Sequence, residues 1–120
     1  MTFFLGGQIS TKPKKDEGAN MLMEFKMSFC WRRSAHNPEC DDDIIKNKTL
    51  TGEGDLTAVS SCTGNNFYLN NALVYCTSYS IIDDWMCGQN TFDYSLPKNC
   101  EYSVSFDGNA WYFYFIFLNF

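Results

Sequence analysis

From residue 21 onward the chain alternates: Met21, Met23, Phe25, Met27, Phe29 and Trp31 occupy every second position, with Glu24, Lys26, Ser28 and Arg32 between them. In a strand successive side chains point to opposite faces, so these six would line one face, whereas a helix would scatter them around its circumference. The period therefore predicts an amphipathic strand, although Met alone favours helix. Such a strand needs a sheet to lie in and a second layer to cover its apolar face.

The remaining patterning repeats that demand on a shorter scale. Residues 56–62 read as a short strand, and Leu73, Tyr75, Thr77 and Tyr79 alternate on another. Phe92, Tyr94 and Leu96 alternate on one strand and Tyr102, Val104 and Phe106 on the next, joined through Pro97, Lys98 and Asn99 as a hairpin. Gly52-Glu53-Gly54, Thr63-Gly64-Asn65-Asn66 and Asp107-Gly108-Asn109 mark turns. Asp41, Asp42 and Asp43 ahead of Ile44 suit the start of a single helical turn. Eleven Phe and seven Tyr are residues that pack well on pleated surfaces. The fold class expected is all-β, an antiparallel β-sandwich or jelly-roll-like domain stapled by disulfides. A chain of 120 residues fits one such domain.

Residues 1–20 mix Gly, Lys, Pro, Asp and Glu without period and are expected to form a flexible leader, with the domain proper over residues 21–111. Trp111 to Leu118 are eight consecutive apolar residues without alternation. A sheet buries such a run only on both faces, so the native strand is expected to end near Trp111, with residues 112–120 a truncated, aggregation-prone strand.

Cys30, Cys40, Cys62, Cys76, Cys87 and Cys100 are even in number and separated by 9, 21, 13, 10 and 12 residues. Structural zinc sites and redox motifs need cysteines two to four positions apart, so the spacing favours disulfides. Each disulfide adds about 2–4 kcal/mol and persists only outside reducing compartments. The connectivity stays open; pairing of sequence neighbours, Cys62 with Cys76, Cys30 with Cys40 and Cys87 with Cys100, is the expectation. An extracellular or cell-surface location follows, yet the first nine residues lack the basic and apolar regions of an export signal. The chain is thus expected to be part of a longer exported protein, or the product of a gene model that starts late. No stretch reaches the length of a membrane-spanning helix.

A net charge of −5 and a pI near 4.6 argue against nucleic acid as partner, because an acidic surface repels phosphates. His36 is the sole histidine and reads as a surface loop residue. With the cysteines paired, and with no nucleophile elbow, phosphate loop or dinucleotide fingerprint, no catalytic residue is assigned. Scattered carboxylates leave a secreted glycoside hydrolase as the alternative. Asp41, Asp42, Asp43, Asp83 and Asp84 could supply oxygens to calcium, but no EF-hand-type loop accompanies them, and a helix start with a solvated loop is the favoured reading. No cofactor and no metal site is assigned. Asn47-Lys48-Thr49 is a glycosylation sequon in a polar stretch. Trp85, among polar neighbours, suits contact with a sugar or protein partner and equally suits packing over a disulfide at Cys87, and Arg32 and Arg33 beside Trp31 suit cation–π stacking within the structure.

At Trp31-Arg32-Arg33-Ser34, Cys40-Asp41-Asp42, Tyr75-Cys76-Thr77-Ser78-Tyr79-Ser80, Asp84-Trp85 with Gly88, and Tyr102-Ser103-Val104-Ser105-Phe106, the chain resembles an extracellular β-sandwich module of large multidomain surface and matrix proteins of invertebrates. The resemblance covers residues 21–111. Cys30, Cys87 and Cys100 depart from it, and it implies an extracellular β module with no activity attached. The expected function is a binding or adhesion module for an extracellular protein or glycan. The expected contact residues are Asp41, Asp42, Asp43, Asp83, Asp84 and Trp85; a lectin-like glycan-binding domain is the neighbouring alternative.

Overall fold

A computed structural model describes residues 4–108 and 111–119, with side chains over residues 4–106. The alternating segment is strand β2, Asn20–Arg32, and its inward face behaves as its period requires. Met23, Phe25, Met27, Phe29 and Trp31 are buried, while Lys26 and Arg32 face solvent. Around it are β1 (Phe4–Glu17), a 3-10 turn (Arg33–Ala35), helix α1 (Asp42–Lys46), β3 (Leu50–Thr51), β4 (Asp55–Ser60), β5 (Asn66–Asn71), β6 (Val74–Ser80), β7 (Trp85–Pro97), β8 (Glu101–Gly108) and β9 (Trp111–Asn119). They form two antiparallel sheets, ordered β1-β2-β7-β6-β3 and β5-β4-β8-β9. The all-β sandwich read from the sequence is the fold.

The core lies between the sheets. Phe29 of the first sheet meets Phe106 of the second with ring centroids 5.5 Å apart, and Phe4 stacks on Phe106 at 4.6 Å. Each buried large apolar side chain contributes about 1.5–3 kcal/mol, with ring pairs adding about 0.5–1.5. Leu56, Ala58, Tyr102, Val104 and Phe106 complete the wall opposite β2.

Phe4 belongs to the segment expected to be a mobile leader. Residues 4–17 instead form β1, paired with β2 from Phe4↔Trp31 to Glu17↔Asn20. An edge strand needs partners on one side only, and β1 buries just Phe4 and Ile9, so its sequence carries little alternation. Pro13 sits beside a register shift, where an edge tolerates a missing N–H. Lys12 pairs with Glu24 at 3.2 Å and Lys14 with Asp93 at 2.7 Å, while Lys15 faces solvent; lysines along an edge discourage pairing with another chain.

Two further readings need correction. The segments around Pro97, Lys98 and Asn99 do not close a hairpin, because β7 lies in the first sheet and β8 in the second; the turn, with Asn99 at φ 63°, carries the chain across the sandwich. The apolar run after Trp111 forms β9, in register with β8 from Gly108↔Trp111 to Glu101↔Asn119.

All six cysteines are paired, as Cys30–Cys87, Cys40–Cys76 and Cys62–Cys100. The expected pairing of sequence neighbours is therefore wrong throughout. Cys62 follows β4 in one sheet while Cys76 lies on β6 in the other, so sheet topology separates residues that sequence proximity suggests joining. Among the described residues no helix is long and apolar enough to cross a membrane.

Candidate functional site

The β6–β7 turn, residues 81–84, meets the 3-10 turn at one end of the first sheet. Asp84 makes this junction. Its carboxylate accepts hydrogen bonds from the Ser34 backbone N–H at 2.8 Å, the Ser34 hydroxyl at 2.6 Å and Arg32 Nε at 2.8 Å, and its carbonyl accepts from the Arg33 N–H at 3.2 Å. These donors favour the ionised form, so the Ser34 hydroxyl first and Arg32 next hold the Asp84 carboxyl at about 2. The residue sits at φ 56°, a left-handed conformation that Asp accepts better than most side chains.

Arg33 links this turn to the loop before α1. Its Nη1 pairs with Glu39 at 3.0 Å, its Nε donates to the Cys40 carbonyl, and its guanidinium lies 5.4 Å from the centre of the Tyr79 ring. Tyr79 in turn donates its hydroxyl to Asp42 at 2.9 Å, which pushes the Tyr79 pKa up. Asp41 caps α1 by accepting from the Ile44 N–H at 2.8 Å, and Cys40–Cys76 fastens the loop to β6. Asp43 is exposed, as is Asn47 at the end of α1.

The structure thus gathers Asp41, Asp42, Asp43, Asp83, Asp84 and Trp85 around one end of the first sheet, but gives them different tasks. Asp41, Asp42 and Asp84 hold the loops in place. Among the described residues no three His, Cys, Asp or Glu side chains converge as a metal site. Trp85 is not a loop residue: it opens β7, half-buried, in register with Arg32 and Ser80.

Ile81 and Ile82 were not singled out by their sequence, and they are the most exposed large apolar side chains described, at 68% and 95%. A β-branched pair reads as core unless the turn that displays it is seen. His36 is also corrected. It is buried, with Nδ1 3.1 Å from the Arg32 carbonyl oxygen and its ring 5.7 Å from that of Trp31. The 3-10 turn folds it inward, leaving Nε2 without a hydrogen bond and 3.9 Å from Glu53.

At the other end of β7, Phe67, Tyr94, Leu96 and Tyr102 line a cavity of about 250 Å³ with Ser60 and Thr63. The Tyr102 hydroxyl is taken by the Pro97 carbonyl at 2.6 Å, and no carboxylate or histidine lines the space. It offers apolar contact and no acid–base pair.

Residues 5–115 match the family model described as integrin beta-like protein A-E, N-terminal. The chain belongs to this family. The match begins within β1 and ends within β9, so it takes in most of the first segment and part of the last that the alternation of β2 left outside. No curated protein and no solved structure matches the chain.

Proposed function

We propose that this integrin beta-like N-terminal domain is an extracellular binding and adhesion module, part of a longer surface protein, that acts by contact and not by catalysis. Its contact surface is the end of the first sheet that carries Ile81, Ile82, Asp83 and Trp85, flanked by Asp41, Asp42 and Asp43. The observation that carries this reading is Ile82, 95% exposed on a turn whose backbone Asp84 ties to Arg32 and Ser34. A rigid turn that presents apolar side chains loses little conformational entropy on binding, and such anchors dominate interface energetics. The family description and three disulfides support an extracellular adhesive role.

The partner is an extracellular protein with an apolar recess, since sugar stacking calls for an exposed ring and Trp85 is half-buried. Beads coated with the domain test this: Ile82→Asp should keep the melting temperature and reduce attachment to expressing cells by about 30-fold, the loss of one hot spot of roughly 2 kcal/mol. Unchanged attachment would remove the turn from the contact surface.

A further inference from the structure

We propose that Cys30–Cys87 is a thiol-exchange site, a disulfide that an extracellular dithiol opens without unfolding the domain and whose state sets the rigidity of the β6–β7 turn. The second half rests on the binding surface proposed above; the first does not.

Cys30 and Cys87 face each other on β2 and β7, within thirteen consecutive paired residues from Asn20↔Pro97 to Arg32↔Trp85. The backbone ladder keeps these strands together whether or not the sulfurs are bonded. Both residues are half-buried and line an open cavity of about 280 Å³ with Gln8, Ser28, Thr77 and Gln89. The register partners on the two flanking strands are small. On β1 the register partner of Cys30 is Gly6, where an added Cβ would meet nothing within 4 Å. On β6 the partner of Cys87 is Ser78, beside the register shift at Thr77.

The other two disulfides differ. Cys40 and Cys76 are 0% and 5% exposed, which closes their bond to a protein-sized nucleophile. Cys62 is exposed but Cys100 is 5% exposed, and Glu101 follows it. The Cys62 and Cys100 sulfurs also stand 3.8 Å and 3.6 Å from the carbonyl oxygens of Asn99 and Lys98. Charged side chains are absent from the lining of the Cys30–Cys87 cavity, so an incoming thiolate meets no carboxylate there.

The exchange is balanced by the dithiol itself. One thiolate attacks a sulfur of the pair, the Cys30–Cys87 bond breaks, and the released sulfur takes up a proton. The second thiol then displaces the mixed disulfide. The dithiol leaves oxidised by two electrons, and its two protons end on Cys30 and Cys87. Two residue pairs beyond lie Arg32 and Trp85, which frame the turn that Asp84 fastens. Opening the bond removes the covalent tie nearest to that turn.

The intact protein would be treated with limiting dithiothreitol under native conditions, alkylated, and mapped by mass spectrometry. Cys30 and Cys87 should label together at least tenfold faster than the other four cysteines, with the circular dichroism spectrum unchanged. Earlier labelling of Cys62 and Cys100, or loss of the spectrum as Cys30 labels, would overturn the exchange site. Amide hydrogen exchange at residues 81–84, measured without any partner, should be several-fold faster after opening; unchanged exchange would overturn the link to the turn while leaving the adhesion reading to its own bead experiment.

Discussion

Oδ1 of Asp84 lies 2.8 Å from the backbone nitrogen of Ser34, a residue 50 positions earlier in the chain. That bond, with the Arg32 and Ser34 side-chain contacts to the same carboxylate, joins the β6–β7 turn to the end of β2. The folded-state carboxyl stands at about 2, below its ordinary 3.8. A depressed carboxyl stabilises the fold above the unfolded value and loses that contribution as pH falls through the folded one. Asp84→Asn, which tolerates the same positive φ, should therefore lower the melting temperature at pH 6. The gap between variant and parent should close between about pH 4 and pH 2. A gap that persists at pH 2 would show that the charge is not its cause.

Gly52 occupies φ 97°, and a Cβ there would stand 2.6 Å from Cη2 of the fully buried Trp31 ring. Backbone strain and overpacking act together, so Gly52→Ala should destabilise the domain by about 2–3 kcal/mol. A urea titration measures it, and a change under about 0.5 kcal/mol would mean that the indole moves aside freely.

Deletion of residues 1–17 tests the edge strand. Loss of β1 strips Phe4 from Phe29 and Phe106, uncovers Ile9's site in the core and bares the edge of β2. The truncated domain should melt lower and associate through that edge; a monomer with the parent's melting temperature would return β1 to the status of a leader.

What could be read in advance depended on whether one segment held its own evidence. β2 declared itself because one face is buried along most of its length, and α1 because Asp41 stands where a cap is needed. β1 did not, since an edge strand that buries two side chains owes its place to hydrogen bonds with β2. Nor did the β7–β8 connection, because turn residues mark a reversal without saying whether the chain returns to its own sheet or crosses to the other. Disulfide pairing follows from that same topology. At the candidate site the aspartates were visible as a cluster, but their division into cap, tether and exposed carboxylate, and the outward placing of Ile81 and Ile82, depend on a turn closed by residues 50 positions apart.

Trp85 and Ile82 stand three residues apart and should respond to truncation in opposite ways. Trp85 opens β7 with neighbours on both sides, Arg32 and Ser80, and its half-buried ring contributes to folding. Trp85→Ala should destabilise the domain by about 1.5–2.5 kcal/mol, roughly half the value of a fully buried side chain lost with its cavity. Ile82 is 95% exposed and has almost no buried surface to lose, so Ile82→Ala should leave stability within about 0.5 kcal/mol. Attachment should follow the reverse order when both variants are assayed well below their melting temperatures, with Ile82→Ala the more damaging. If Trp85→Ala abolishes attachment with stability intact, the ring and not the turn is the anchor, and the contact surface moves from the tip of the β6–β7 turn to the start of β7.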